Sequence, residues 1–397
     1  MNGAMDTLVS QAYGDKEYYL CGCYLNRGRI LQALIFIPEM ILLCFTKPIL
    51  IYLGQDEQTS EVAQNYILPL LPGMFAMTQF ETIRRYLQGM TIFVFTMYVQ
   101  CISLVFHLIW SYLLVHTAGL GIYGVSIATC ITYWTDLIAV CLIISYKGDV
   151  VPKESWHFFN ADSFTGLFEY LEYGIPSALI LSLEWWSFEI LSLFAGLLSV
   201  EELAANIVLL NLCILLFQVP EGVGFAMSNL VGNSLGEGNT QKAKKYIKAS
   251  LAVMFAATIV LIVSLYNFRY YISMIFTDEK NVIELIANVI PVFTVWVFFD
   301  YAQCVECGSL RAMGYQLYGS AASLIGYWVL NLPLAYLFAF TFDMRLKGIW
   351  IGVQAGTVFT CVSYTIMIFK TDWNKLAQDI NDRIEDDKKE LAAQLLN

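Results

Sequence analysis

The sequence predicts an all-α polytopic membrane protein built as two parallel-repeat helical lobes, and three observations carry that prediction. The first is composition: of 397 residues, 58% are drawn from AVILMFWYC and only 14% are charged, with a mean hydropathy of +0.61. A soluble domain carries about 25% charged residues, and no single core of this chain length could hide so much apolar surface. The second is the recurrence of apolar stretches of roughly 20 residues, the length of helix that crosses a bilayer core. The third is an internal repeat of the landmarks that bound those stretches.

Ten complete spans are expected, at 30–52, 62–83, 91–116, 124–146, 167–200, 207–231, 249–276, 289–310, 319–342 and 348–369. Residues 1 to about 10 read as the end of a further helix. Polar links such as 54–65, 118–123 and 277–288 part the spans. Residues 1–146 form the expected N-terminal lobe, 147–166 a cytoplasmic inter-lobe linker, 167–370 the C-terminal lobe and 371–397 a polar cytoplasmic tail. With the link holding Lys242, Lys244, Lys245 and Lys248 taken as cytoplasmic, strict alternation puts 17 of the 22 Lys and Arg residues on that face. Only Lys47, Arg269, Lys280, Arg345 and Lys347 fall opposite, which is the positive-inside bias. The tail is expected to be solvated or weakly helical, because seven acids and four bases crowd Asp372 to Glu390.

Several function classes are disfavoured. A formal charge of −11, from 33 acids against 22 bases, does not suit a nucleic-acid partner, which needs clustered positive charge. The ten cysteines sit mostly within apolar runs and act as small hydrophobes rather than as a disulfide framework. Cys304 and Cys307 stand as a lone pair without a second such pair, and His107, His116 and His157 lack metal spacing. No Gly-x-x-x-x-Gly-Lys-[Ser/Thr] loop and no His-Glu-x-x-His occur, so neither direct use of ATP nor a metallohydrolase is expected. The chain is not expected to be an enzyme or to hold a cofactor.

The repeat rests on three matches in the same order. Asp6–Gly14 aligns with Ser228–Gly236 at an offset of 222, Arg85-Tyr-Leu-Gln-Gly with Arg311-Ala-Met-Gly-Tyr-Gln at 226, and Gly121-Ile-Tyr-Gly-Val with Gly348-Ile-Trp-Ile-Gly-Val at 227. Duplicated bundles of this kind are the architecture of alternating-access transporters, with the substrate path between the halves. Two full spans precede the first landmark in the second half and fewer than ten residues precede it in the first. The N-terminal lobe is therefore expected to lack one helix and most of a second, with roughly 60 further residues before Met1 in the native product.

An acid at the centre of a spanning helix costs about 2.5 to 3.5 kcal/mol on insertion scales, so it usually faces a water-filled path or a partner. Glu184 and Glu189 lie mid-span in Leu-Ser-Leu-Glu-Trp-Trp-Ser-Phe-Glu-Ile, and Asp300 lies deep in Trp-Val-Phe-Phe-Asp-Tyr-Ala. Five residues at about 100° each set Glu184 and Glu189 roughly 140° apart, so one of them is expected to point inward unless Pro176 or local unwinding turns the other. A buried carboxyl that alternately gains and loses a proton is the chemistry such positions offer; packing through a protonated carboxyl is the alternative. Glu306, Glu221 and Glu81 lie nearer span ends, where water is within reach. Trp185 and Trp186 are candidate aromatic faces for a cationic substrate, with packing again the alternative.

These residues resemble the multidrug and toxic compound extrusion (MATE) family across nearly the whole chain. The matching stretches are Met5–Gly14, Pro72-Gly with Arg85-Tyr-Leu-Gln, Gly174-Ile-Pro-Ser followed by Leu183-Glu-Trp-Trp-Ser-Phe-Glu, Val231–Gly236, and Gly308-Ser-Leu-Arg-Ala-Met-Gly-Tyr-Gln. The Glu-Trp-Trp-x-x-Glu stretch is similar to the eukaryotic branch. The resemblance implies two six-helix lobes, export of organic cations or other amphipathic compounds in exchange for H+ or Na+, and a C-lobe cation site at Glu184 and Asp300 assisted by Glu189. Two features depart from the family pattern: the absent N-terminal helices, and Asn211 and Leu212 where some animal members carry an acid two turns before the proline matching Pro220.

The expected function is thus a proton-coupled efflux antiporter, with H+ preferred over Na+ as the coupling ion. Small amphipathic molecules and the bilayer are its expected partners, a monomer its expected state, and the plasma or vacuolar membrane its expected place. The rivals are a lipid-linked precursor flippase, which would favour a basic cavity over these acidic mid-span charges, and a truncated, non-transporting membrane protein.

Overall fold

The computed structural model describes residues 1–148 and 150–395. Asp149, within the expected linker, and Leu396 and Asn397, at the end of the expected tail, lie outside the described residues. The chain divides into two compact units, Met1–Tyr170 with Asp387–Asn397 and Leu171–Asp386. The helices run α1 (Gly3–Gly14), α2 (Tyr18–Cys44), α3 (Thr46–Tyr52), α4 (Glu57–Gly89), α5 (Val94–Tyr112), α6 (Gly121–Tyr146), α7 (Leu167–Leu198), α8 (Val200–Gly236), α9 (Thr240–Asn267), α10 (Arg269–Phe276), α11 (Lys280–Met313), α12 (Gln316–Thr341), α13 (Arg345–Lys370) and α14 (Trp373–Leu395). No strand occurs among the described residues.

Eight of these helices are long and apolar enough to cross a membrane, and the bent pair α2 and α3 makes nine. The remaining expected span lies within α4, which is long enough at 33 residues but carries Gln79, Glu81, Arg84 and Arg85 in its second half. Only 11% of the apolar window around α5 is buried inside the protein, and Met97, Ile102, Leu104, Val105 and Leu108 stand exposed. A row of such side chains is stable in hydrocarbon and not in water.

Two expected spans are interrupted. The stretch 30–52 bends by 60° between α2 and α3, because Pro48 has no N–H for the carbonyl of Cys44 four residues earlier. Gln64 Nε2 donates to that carbonyl at 3.0 Å, so the break leaves no orphan. The stretch 249–276 stops at Phe268, and α10 starts afresh at Arg269, a charge that ends the apolar run. The same repair recurs deeper in unit 2: Pro220 frees the Leu216 carbonyl, and the Tyr301 hydroxyl donates to it at 2.8 Å.

The internal repeat is present in the backbone, with its register corrected. After α1 the N–H groups of Asp15, Lys16 and Glu17 donate to the carbonyls of Gln11, Tyr13 and Ala12; after α8 those of Glu237, Gly238 and Asn239 donate to Asn233, Leu235 and Ser234, an offset of 222 throughout. After α4 and α11 the matched bonds are Thr91 to Gln88 with Gly314 to Arg311, and Ile92 to Leu87 with Tyr315 to Leu310, an offset of 223. The π-helical turns Leu113–Thr117 and Leu337–Thr341, and the bonds Gly124 to Leu120 and Gly348 to Met344, match at 224. The offsets of 226 and 227 expected from letter matches are thus one helical turn too long. A slip of three residues keeps a side chain on nearly the same helix face, which is how similar letters fell into the wrong register.

Each matched turn contains a residue with left-handed φ: Lys16 and Gly238, Thr91 and Gly314, Gly119 and Asp343, Gly121 and Arg345. Unit 1 also folds residues 151–165 back onto α2 and α4. Tyr86 Oη donates to the Ser155 carbonyl at 2.8 Å, Asn26 Nδ2 to that of His157 at 3.2 Å, and Gly22 leaves room for both loop residues.

The tail, expected to be solvated or weakly helical, is a full helix with one buried face. It forms α14, 23 residues long, with Trp373, Leu376, Ala377, Ile380, Ile384 and Leu391 all buried along one helical stripe. In unit 2, Lys244 Nζ sits 5.5 Å from the Trp373 ring centroid and Arg383 Nη1 donates to Tyr173 Oη at 3.1 Å. In unit 1, Lys388 pairs with Glu17 at 2.7 Å. The charges that made this segment look solvated lie on its other faces.

Candidate functional site

Glu184 and Asp300 both lie inside unit 2, on α7 and α11, with only 7% and 2% of their surfaces exposed. They are within Coulombic range of each other, and neither has an ion-pair partner among the described residues. Glu184 is held from a third helix: Tyr327 Oη on α12 donates to its Oε1 at 2.8 Å. The same hydroxyl accepts from Gln303 Nε2 at 2.8 Å, and Gln303 stands one turn beyond Asp300 on α11. Asp300 Oδ2 is buried and has no hydrogen-bond partner. Two buried carboxyls within Coulombic range of each other in a medium of low dielectric, without a basic partner, require a positive charge from elsewhere.

The backbone of α12 is adapted to this arrangement. Residues Leu324–Asn331 are π-helical, just before Pro333, whose missing N–H loosens the α-helical ladder. The wider turns bring three polar side chains toward α7. Besides Tyr327, Trp328 Nε1 donates to the Leu183 carbonyl at 3.0 Å, and Asn331 Nδ2 to Ser187 Oγ at 3.5 Å. A Cβ on Gly326 would strike Thr360 on α13, so glycine is what allows α12 to lie that close. On the far side of the site, Gly224 and Gly308 let the backbones of α8 and α11 touch.

Beside Glu184 a small cavity of about 20 Å3 is lined by Trp185, Phe188, Leu210, Cys213, Phe217 and Trp296. Its aromatic walls are ordered by edge contacts, Trp185 to Phe217 and Phe188 to Trp296, each with ring centroids 6.2 Å apart. The cavity is too small for an organic molecule as it stands, and its chemistry, aromatic faces next to a carboxyl, is complementary to a cation.

The other residues singled out in the sequence fall in different places. Glu189 is exposed, the outcome set by the 140° separation along an unbroken α7. Trp186 is 57% exposed and, unlike Trp185, does not line the cavity. Glu221 is partly exposed but within Coulombic range of Glu184. Glu81 pairs with Arg84 at 2.6 Å. Glu306 lies in a separate cavity of unit 2. Cys304 and Cys307 are free thiols, and Cys307 Sγ accepts from Arg311 Nη2 at 3.4 Å.

Three groups were missed. Tyr327 and Gln303 complete the Glu184 site, and their polarity within apolar runs was the available signal. Asp136 on α6 is a buried acid of unit 1 whose Oδ1 lacks a partner; it stood mid-span in the sequence and was passed over.

Eight or nine membrane-length helices among the described residues, with two carboxyls buried among them, define a multi-pass membrane protein with an acidic interior site. A family model described as MatE matches residues 1–113 and 176–337, and the chain belongs to that family of multidrug and toxic compound extrusion transporters. Protein DETOXIFICATION 36 of Arabidopsis thaliana is 31% identical over 387 residues, which cover 97% of this chain and 76% of the relative. Multidrug and toxin extrusion protein 1 of Xenopus tropicalis is 29% identical over 381 residues, covering 96% of this chain and 66% of the relative. The crystal structure of the eukaryotic MATE transporter AtDTX14 matches with a TM-score of 0.91 and 29% identity, over 96% of this chain and 86% of that one. The protein is a multi-pass integral membrane transporter and not an enzyme.

Proposed function

We propose that the chain exports organic cations or other amphipathic small molecules in exchange for H+, with Glu184 and Asp300 as the shared cation site. The observation that carries this reading is the pair of buried carboxyls without a basic partner. A proton and an organic cation are alternative ways of supplying the missing positive charge, so the arrival of one expels the other, and that competition is the elementary step of antiport. A proton needs a single acceptor lone pair, which Asp300 Oδ2 offers, whereas Na+ needs a cage of oxygens. Tyr327 already occupies Glu184 Oε1, which favours H+. The aromatic rings of Trp185, Phe188 and Phe217 beside Glu184 favour a substrate with an apolar body and a positive group once the helices part to admit it. The name of the Xenopus relative, a multidrug and toxin extrusion protein, agrees with this substrate class.

The test is efflux of a fluorescent organic cation from proteoliposomes under an imposed pH gradient. Glu184→Gln and Asp300→Asn keep the shape of the protonated side chains and remove their titration. Each variant should insert but bind the cation more weakly and lose pH-driven export. Wild-type rates in both would sink the proposal, and export driven by a Na+ gradient alone would reassign the coupling ion.

A further inference from the structure

Away from Glu184 and Asp300, unit 2 contains a second cavity, of about 350 Å3, between the first turns of α9, the later turns of α11, the end of α13 and Trp373. Its walls divide by chemistry. Lys244, Ile247, Lys248 and Leu251 recur at i, i+3, i+4 and i+7 and so share one face of α9, with two ammonium groups above two apolar side chains. Ile368 and Phe369 supply an apolar wall from α13, and Phe369 is 83% exposed at its rim. Neither Lys244 nor Lys248 is paired with a carboxylate among the described residues; Lys244 rests over the Trp373 ring.

Glu306 lines the same cavity and is 5% exposed. Thr365 Oγ1 donates to its Oε1 and the Cys361 thiol, a weak donor, also meets the carboxyl, while its Oε2 is buried and accepts from no N–H or O–H group. A buried carboxyl oxygen without a donor is a vacancy for one. The cavity therefore presents three complementary features: two cations that suit a phosphate, an acceptor that suits an N–H donor, and an apolar wall that suits hydrocarbon.

We propose that this cavity binds a glycerophospholipid whose headgroup carries both a phosphate and a primary ammonium. The phosphate lies between Lys244 and Lys248, the ammonium donates to Glu306 Oε2, and the acyl chains pass over Ile247, Leu251, Ile368 and Phe369 into the bilayer. The volume falls within the range of small-molecule sites and takes the headgroup with the first part of the chains. Basic pockets at the ends of spanning helices attract lipid headgroups in this way. A lipid with an anionic headgroup and no ammonium would satisfy the lysines and leave Glu306 without a donor. A soluble phosphate would leave the apolar wall uncovered.

The experiment is native mass spectrometry of the full chain in micelles, offered equal amounts of phosphatidylethanolamine, phosphatidylcholine and phosphatidylglycerol, and separately soluble phosphoethanolamine. Phosphatidylethanolamine should be retained in preference to both other lipids. Lys244→Ala with Lys248→Ala should lower its retention about thirtyfold, taking each lysine at the value typical of a charge near a lipid headgroup. Glu306→Gln should erase the preference for the primary ammonium over its trimethyl counterpart. Lys248 is exposed, so Lys248→Glu alone repeats the test if the double variant fails to fold. Equal retention of the three lipids would overturn the proposal, as would undiminished retention by the lysine variants. Soluble phosphoethanolamine held as tightly as the lipid would overturn it too, by showing that the acyl chains contribute nothing.

Discussion

Tyr327→Phe removes one oxygen and keeps the ring, so its cost isolates hydrogen bonding from packing. That oxygen stands between two partners, donating to Glu184 Oε1 and accepting from Gln303 Nε2, each at 2.8 Å. A hydrogen bond between neutral groups on neighbouring spanning helices is worth about 0.6 kcal/mol and at most about 1.7. A bond to an ionised acceptor is worth about 1.5 to 3 kcal/mol. The single substitution also strands the Gln303 amide, which adds about 1 kcal/mol. A double-mutant cycle with Glu184→Leu, which has no acceptor for the hydroxyl, cancels that extra cost and leaves the pair alone. The expected coupling is about 1 kcal/mol in mildly acidic buffer, rising to about 2 kcal/mol or more in mildly alkaline buffer, because only the ionised carboxylate receives a charge-assisted bond. Denaturant titration of the four proteins in lipid-containing micelles, at both pH values, provides the numbers. Coupling near zero at both would show that the Tyr327 to Glu184 bond does not form. Coupling that is appreciable but independent of pH would show that Glu184 does not titrate over that range, and would remove it from the proton pathway.

Four further outcomes are expected. Gly238 has open space around it and a φ of +71°, so Gly238→Ala should cost about 1 kcal/mol from conformation alone, while Lys16→Gly at the matched turn should raise thermal stability; a shift of the opposite sign in either would contradict the assignment. Gly308→Ala would drive a Cβ into the Gly224 backbone and should lower stability by about 3 kcal/mol or more, visible as loss of folded protein on size exclusion. Asp56 caps α4 by accepting from the Thr59 N–H at 2.7 Å, which holds its carboxyl below the usual range; its stabilisation is present above the unfolded carboxyl range and lost as pH falls through the lowered value, so Asp56→Asn should flatten the acid limb of the stability profile. Because Lys244 stacks on Trp373, epitope tags at Lys245 and after Glu390 should become accessible from the same side of sealed cells, and accessibility from opposite sides would refute the shared face.

Much of this was legible in the sequence where chemistry is out of place. Glu184 and Asp300 announced themselves because a carboxyl in twenty apolar residues is costly wherever it points. Tyr327 did not, since a tyrosine in a span serves packing as readily as hydrogen bonding, and its role depends on a π-helical stretch that no periodicity reveals. The amphipathic stripe of α14 was readable at helical spacing, from Trp373 through Ile380 to Leu391, but the density of charge around it suggested solvent. The breaks at Phe45 and Phe268 lie inside continuous apolar runs. Pro48 was a sufficient signal for the first; the second shows only in the Arg269 that follows it. The lipid-type cavity joins Lys244, Glu306 and Phe369 from three helices, a juxtaposition that sequence order does not contain.

The four pairs of left-handed turns record a history. In every pair one member is glycine and the other is not, and the glycine falls in the second half twice, at Gly238 and Gly314, and in the first half twice, at Gly119 and Gly121. A non-glycine residue in this conformation costs about 1 kcal/mol, small enough for a lineage to accept one at a time. The simplest common ancestor of the two halves is a single bundle with glycine at all four bends, from which each descendant copy has lost two. Conformation has thus outlasted the residue that first permitted it, and each half preserves what the other has forgotten. A chain carrying both copies holds its own reference sequence, and an engineer seeking a sturdier transporter can read the needed glycines from one half into the other.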